Sequence, residues 1–201
     1  GAIDTAIVDI MPARCTFYDR HWKLNRQEVL DFVSNGTTTP DIISWPGNGS
    51  AVDNESTYLA PFTDVNADGI YNHLDGVCND YLFGDQTIWW VINDVGNVHT
   101  ESNSLPIGLE IRCQAFAFQS TLPSLDNSTF YKYQVINRSS TTLTQTYFGQ
   151  WVDPDLGNAV DDYVGCDVMR GFGYCYNGDA NDETAAGYGI DPPAIGVDFL
   201  Q

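Results

Sequence analysis

The stretch QTIWWVIN, Gln86–Asn93, decides the fold class because β-branched and aromatic residues fill it almost completely. The next apolar run, Ile107–Gln119, has the same composition and alternates apolar with polar or small residues. Every second residue in this run would lie on the same face of a strand, and these residues are Leu109, Ile111, Cys113, Ala115 and Ala117. We therefore expect two neighbouring strands, with Cys113 a small core residue on one face of the second.

Four more runs of the same kind follow, and turn-forming residues separate them. They are Phe130–Asn137, Leu143–Val152, Tyr163–Met169 and Phe172–Asn177. Several connections are short enough for hairpins, which join antiparallel strands. The sequence therefore predicts a mainly β chain, folded as an antiparallel β-sandwich of immunoglobulin-like or jelly-roll-like type, because such a sandwich buries the inner faces of both sheets.

The part of the chain before these strands is less regular. Residues 22–33 carry apolar positions near helical spacing, Asn25 and Glu28 are placed as a capping box, and Gly36 follows as a stop signal. Residues 37–84 are rich in Pro, Gly, Asn, Asp, Ser and Thr. We expect residues 1–84 to form one short helix and a long loop region packed on a β-sandwich of residues 85–201, as one compact unit and a fragment of a longer protein.

The charge balance limits the partners of the chain. The 201 residues include 27 Asp and Glu against 8 Lys and Arg, a formal net charge of −19. Affinity for nucleic acid and for anionic lipid comes mainly from basic side chains. No run of about 18 apolar residues is present. We therefore expect no nucleic-acid partner and no insertion into a membrane.

The segment DVNADGIYNHLD, Asp64–Asp75, has the spacing of a calcium loop. Oxygen-bearing side chains fall at positions one, three, five, nine and twelve, and a glycine falls at position six. The predicted ligands are the side chains of Asp64, Asn66, Asp68, Asn72 and Asp75 and the carbonyl oxygen of Ile70. The Asp at position twelve makes the loop resemble those of dockerin modules, although dockerins carry two such loops. We expect Ca²⁺ to pin the irregular region; the alternative is a polar turn without metal.

A second acidic stretch lies between two predicted strands. Its carboxylates are those of Asp153, Asp155, Asp161 and Asp162. Four carboxylates within ten residues repel one another unless a cation or solvent relieves them, so the stretch is either a second calcium site or a solvated acidic loop. The third acidic stretch, residues 177–183, reads as a flexible tip.

The chain has five cysteines, so at least one thiol has no partner within it. A two-residue turn at 170–171 places Cys166 opposite Cys175, and we expect a cross-strand disulfide there; two buried thiols are the alternative. Cys15 and Cys78 form a further candidate pair.

Five N-x-S/T sequons, at Asn35, Asn48, Asn54, Asn127 and Asn137, predict exposed loops.

Several stretches together resemble a group of large secreted proteins of Bacteroidetes that are exported by the type IX system. The most specific is TYFGQWVDPDLGNAVDDYVGCDVMRGFGYCYNGD, and the others include LAPFTDVNADGIYNHLDG, GDQTIWWVINDVGNVHTE and FYKYQVINRSS. The resemblance implies a secreted, calcium-stabilised, β-rich region of a cell-surface or adhesin-like protein. It implies no catalytic residues.

The sequence favours a structural or adhesive module over an enzyme. The three histidines lie far apart, and neither an H-E-x-x-H pair nor a G-x-S-x-G elbow is present.

The expected partners are copies of the same chain or neighbouring domains. We expect the apolar residues of segments 2–10 and 195–200 to make the first contacts with them. A carbohydrate-binding module is the alternative, because exposed tryptophans stack on sugars. Adjacent Trp89 and Trp90 must point to opposite faces of a strand, so we expect at most one of them in the core.

Overall fold

A computed structural model describes residues 2–3, 12–72 and 82–200, and it confirms a mainly antiparallel β protein with few helices. Its contacts divide the chain into two units, residues 1–142 and 143–201, so the boundary predicted at residue 84 falls inside the first unit. The helices of the first unit are α1 (Pro12–Tyr18), α2 (Arg26–Asn35), α3 (Pro40–Ile43) and α4 (Pro123–Asp126), with a 3-10 turn at Ala51–Asp53. Its strands are β1 (Trp22–Asn25), β2 (Gln86–Asn93), β3 (Leu109–Ala117) and β4 (Thr129–Asn137).

The four strands of the first unit form one antiparallel sheet in the order β1-β2-β3-β4. The predicted strand Gln86–Asn93 is confirmed residue for residue as β2. Cys113 lies opposite Trp90 on one side and Tyr133 on the other, and it is 1% exposed. Cys113 is therefore a buried residue of one sheet face, as predicted, whereas Glu110 and Gln114 on the other face are buried as well.

The predicted helix begins four residues later than expected. Residues 22–25 form β1, where burial alternates with period two, and α2 begins at Arg26. The capping box is confirmed, because Glu28 Oε2 accepts from the Asn25 backbone N–H at 2.8 Å. The stop is also confirmed, since Gly36 has φ 75° and its N–H donates to the Phe32 carbonyl at 2.9 Å. The capping residues are local signals that the sequence shows directly. The strand at residues 22–25 depends instead on its pairing with β2, which is a tertiary contact that overrides local helix preference.

The core of the first unit is built around three tryptophans. Trp89 lies between Trp22 and Trp45, with ring centroids 5.7 and 6.0 Å away, and all three rings are buried. Both outer indoles donate to carbonyls of the irregular region, Trp22 Nε1 to Ser44 at 2.8 Å and Trp45 Nε1 to Pro61 at 3.0 Å. The buried aromatic rings therefore hold loop backbone that has no sheet partner.

Two buried carboxylates hold further segments against this core. Glu55 accepts a bidentate pair from Arg14, with both contacts at 2.9 Å, and a hydrogen bond from the Tyr18 hydroxyl at 2.7 Å. This fixes α1 to the loop after α3. Glu110 is 0% exposed and pairs with Arg112 and Arg138. The remaining Glu110 oxygen accepts from the Ile3 backbone N–H at 3.1 Å. Each buried charge thus has the partner that burial requires.

The second unit contains a three-stranded antiparallel sheet in the order β5-β6-β9. The strands are β5 (Asp162–Asp167), β6 (Phe172–Asn177) and β9 (Ala194–Asp198), and a two-stranded hairpin is formed by β7 (Asn181–Asp182) and β8 (Gly189–Ile190). The predicted run Phe172–Asn177 is confirmed exactly. The predicted strand Leu143–Val152 is wrong, because this segment makes no strand pairing in the structure.

The turn between β5 and β6 is also longer than predicted. Asp167 lies opposite Phe172, so the loop has four residues, and Cys166 faces Gly173 while Cys175 faces Val164. The predicted register is therefore wrong by two residues. Both thiols are free in the structure, Cys166 exposed and Cys175 buried, and the predicted disulfide is not formed there. Cys78 of the other candidate pair lies outside the described residues.

Candidate metal centre

The predicted calcium loop adopts a tight turn that its own side chains hold. The Asp64 carboxylate accepts from the backbone N–H of Asp68 at 3.1 Å and from that of Gly69 at 2.7 Å. Asn66 Oδ1 also accepts from the Asp68 N–H, at 3.0 Å. Asp68 Oδ1 accepts from the Ile70 N–H at 2.8 Å. The side chains at positions one, three and five thus turn onto the same short run of backbone.

The glycine at position six is required by the backbone. Gly69 has φ 78°, in the left-handed region that favours glycine. Ala67, two residues earlier, also has a positive φ, of 60°. This reversal of the backbone presents the N–H groups of residues 68–70 to the side-chain oxygens of Asp64, Asn66 and Asp68.

Asn48 connects this loop to the core, and sequence reasoning did not find it. Its Nδ2 donates to the carbonyls of Gly69 at 2.9 Å and Thr57 at 2.7 Å, and its Oδ1 accepts from the Tyr71 N–H at 2.6 Å. The Tyr71 hydroxyl donates to the Ile42 carbonyl at 2.7 Å. No local signal marks a partner that lies sixteen residues before the loop. The predicted role of Asn48 as an exposed sequon is wrong, since its side chain is half-buried and bonded on both ends.

The other predicted ligands follow the turn. The Ile70 carbonyl accepts from Asn72 Nδ2 at 3.1 Å, and Asp75 lies outside the described residues. A carboxylate oxygen has two acceptor sites, so the bonds inside the loop leave Asp64 and Asp68 with capacity for a cation. Within the described part of the chain, no group of three His, Cys, Asp or Glu side chains is placed to hold a metal ion.

The four residues of the second acidic stretch do not share one environment. Asp153 and Asp155 are exposed on a segment without regular structure. Asp161 and Asp162 lie at the start of β5 and are half-buried. The tip predicted for residues 177–183 contains buried Asn177, opposite Asp162, and buried Asp182. The incorrect hairpin register hid Asn177, because a two-residue turn would place residue 179 opposite Asp162.

An exposed aromatic row on the second sheet consists of tyrosine and phenylalanine, not tryptophan. Trp89 is in the core, as expected of at most one of the adjacent pair, and Trp90 is half-buried beside the His21 ring. On one face of the second sheet, neighbouring ring centroids are 5.8–6.0 Å apart along a row formed by Phe172, Tyr174, Tyr176 and Tyr163. The Tyr174 ring lies over Gly165 and the Phe172 ring over Gly196. The rings therefore lie low on the sheet, where glycines leave room.

No helix in residues 12–72 and 82–200 is long and apolar enough to cross a membrane. This chain matches no known protein-family model, no curated protein and no solved structure.

Proposed function

We propose that this chain is a calcium-stabilised module of a secreted or cell-surface protein, with a structural or adhesive role. The Asp64–Gly69 turn is the observation that supports this proposal most directly. Its alternate oxygens converge on a glycine reversal, and Asn48 and Tyr71 tie that reversal to the core. Hard oxygen ligands on a flexible loop suit Ca²⁺. The predicted β-sandwich arrangement and export by the type IX route are part of this proposal.

Calcium at the loop would act on the stability of the first unit. The loop continues from the irregular region that the tryptophans and Glu55 hold, so an ion there would restrain backbone that lacks sheet hydrogen bonds. The net charge of −19 opposes compaction, and a divalent ion reduces that repulsion locally. Because the ion binds only the folded loop, it stabilises the fold by mass action.

Thermal unfolding with and without calcium tests the proposal. We expect the melting temperature to fall by several degrees in excess chelator and to recover with Ca²⁺. The double variant Asp64→Asn/Asp68→Asn should show a smaller response, whereas the double variant Asp19→Asn/Glu101→Gln makes the same charge change at exposed sites and should keep the full response. A response that is equal in both variants would contradict the loop as the site.

The adhesive part of the proposal concerns copies of the same chain. Light scattering after gel filtration, with calcium present or removed, measures the mass of the particle. Growth beyond the monomer mass in calcium supports self-assembly. A monomer at all concentrations would contradict self-assembly, and adhesion would then have to involve neighbouring domains or other surfaces. Surface labelling of intact producing cells tests whether the protein is exposed there.

Glycan binding is the second candidate function, and the aromatic row on the second sheet favours it. Rings that lie low on a sheet present their faces, and sugar rings stack on aromatic faces. Tyr163, Tyr174 and Tyr176 are 39–58% exposed. Affinity electrophoresis in polysaccharide gels is the test: Tyr174→Ala/Tyr176→Ala should lose retardation, while Tyr147→Ala, which removes an exposed ring outside the row, should not. No retardation of the wild-type protein on any polysaccharide would rule out this candidate.

A further inference from the structure

Three side-chain oxygens at one end of the second sheet are buried and have no hydrogen-bond partner. They are Asp161 Oδ2, Asp162 Oδ1 and Asn177 Oδ1. Buried polar atoms are nearly always paired, because removal from water without a partner costs free energy. All three atoms are acceptors at neighbouring positions of the β5-β6 pair, and such a group requires a hydrogen-bond donor or a cation.

The fold brings these residues together. Asp162 and Asn177 are directly opposite in the β5-β6 register, so their side chains share one sheet face. Asn177 is 7% exposed, and its Nδ2 donates to the Asp179 carbonyl at 3.3 Å, whereas its buried Oδ1 has no hydrogen-bond partner. Asn158 connects the rest, because its Nδ2 donates to Asp161 Oδ1 at 3.2 Å and its N–H donates to Asp182 Oδ1 at 3.1 Å.

Asp182 adds a buried negative charge beside this group. It is 1% exposed, and its second oxygen accepts from the Tyr188 N–H at 2.8 Å. Both Asp182 oxygens already accept from backbone N–H groups, and neither is among the unpartnered oxygens, so we count Asp182 for its charge. The backbone at Gly157 has φ 70° and approaches so closely that a Cβ there would lie 1.9 Å from Asp182 Oδ2.

Among the residues that the structure describes in the second unit, no basic side chain pairs with these carboxylates. Residues 143–201 contain ten Asp and Glu, one Arg, and neither Lys nor His. That one cation, Arg170, is 83% exposed and pairs with Asp167 at the other end of β5. A buried charge without a protein partner commonly coordinates a metal ion.

We propose that Asp161, Asp162 and Asn177 form a second binding site for a hard divalent cation, with Ca²⁺ as its ligand. Two carboxylates and an amide oxygen, completed by water, are a ligand set that Ca²⁺ accepts. The site differs from the one predicted from the sequence, since Asn177 replaces Asp153 and Asp155. It extends the proposed function to the second unit and does not depend on the Asp64 loop.

Bound calcium counted by elemental analysis after dialysis tests the site in the full chain. The double variant Asp161→Asn/Asp162→Asn should hold one ion fewer than the wild type. The variant Asp153→Asn/Asp155→Asn removes the same charge at exposed positions and should keep the wild-type number. The loop variant Asp64→Asn/Asp68→Asn reports separately on the first site, so failure of one site is distinguishable from failure of the other.

A second measurement separates metal binding from a structural defect. In excess chelator the Asp161→Asn/Asp162→Asn protein should melt above the wild type, because the carboxylate repulsion is relieved. In calcium the order should reverse, since only the wild type gains from this ion. Equal calcium content in this variant and the wild type overturns the inference, as does loss of the ion from the Asp153→Asn/Asp155→Asn protein.

Discussion

Trp22 lies directly opposite Trp89 across β1 and β2, and their ring centroids are 5.7 Å apart. The pair joins the short edge strand β1 to the inner strand β2. Trp45 also packs against Trp89, so the Trp89 ring connects β1, β2 and the loop that follows α3. The first unit should therefore depend on Trp89 more than on any exposed aromatic residue.

Replacement of Trp89 by alanine tests this dependence. Deletion of a buried large aromatic side chain typically costs about 3–5 kcal/mol, because transfer energy is lost and a cavity remains. We expect Trp89→Ala to lower the free energy of unfolding by that amount in urea titration. Trp151→Ala is the control, because Trp151 is 84% exposed and its loss should cost less than about 0.5 kcal/mol. Similar losses in the two variants would contradict the assigned core.

Asn48 should govern both the stability and the calcium response of the loop. Asn48→Ala removes three hydrogen bonds and leaves the Tyr71 N–H and the Gly69 carbonyl without these partners. We expect a loss of about 1–3 kcal/mol in the free energy of unfolding. We also expect weaker calcium binding, because the turn is no longer preorganised.

Asn127→Ala is the matched control for this loss. Asn127 is an exposed sequon asparagine outside the loop, and its replacement should change neither the unfolding free energy nor the calcium titration. Calcium affinity that is unchanged in Asn48→Ala would show that the tether does not set the geometry of the loop.

The sequence predicts strands well where the pattern is local, and it fails where pairing is distant. Gln86–Asn93 and Phe172–Asn177 are β-branched or aromatic runs with turn signals on both sides, and their bounds are confirmed. Leu143–Val152 has similar composition but makes no strand pairing in the structure, and composition cannot supply a partner. The spacing of residues 22–33 predicts a helix over the edge strand Trp22–Asn25, because the partners of that strand in β2 lie more than sixty residues further along the chain.

The same distinction applies to the metal centre. Spacing alone predicts the oxygens of Asp64, Asn66 and Asp68, because a calcium loop is a local motif. Asn48 and Asn177 act from other segments, so only the tertiary fold shows them. Asn177 would follow from a correct hairpin register, but the sequence around Arg170-Gly171 favours a two-residue turn that the structure replaces with four residues.

The thiols of the second unit should react as free groups at different rates. Cys166 is exposed and Cys175 is buried, and neither is bonded in the structure. We expect Cys166 to be alkylated within minutes by iodoacetamide without prior reduction, and Cys175 to be alkylated only after unfolding, because access and thiolate content govern the rate. Peptide mass mapping reads both sites. A Cys166–Cys175 linked peptide in the unreduced protein would restore the disulfide that the sequence predicted.

Cys113 should make stability fall at alkaline pH. Cys113 is buried between Trp90 and Tyr133 of the neighbouring strands, and burial raises the pKa of its thiol from 9.0 to about 11. Between these values the unfolded chain releases the proton and the folded chain retains it, so the stability present below about pH 9 declines until about pH 11. A shift of this size corresponds to at most about 3 kcal/mol. Urea titrations from pH 8 to 11 on wild type and Cys113→Ala isolate it, because the other alkaline groups, the tyrosines included, titrate in both. Between pH 9 and 11 the free energy of unfolding should fall more steeply with pH in the wild type than in the variant. Parallel slopes would show that the thiol ionises as readily in the folded protein as in the unfolded chain.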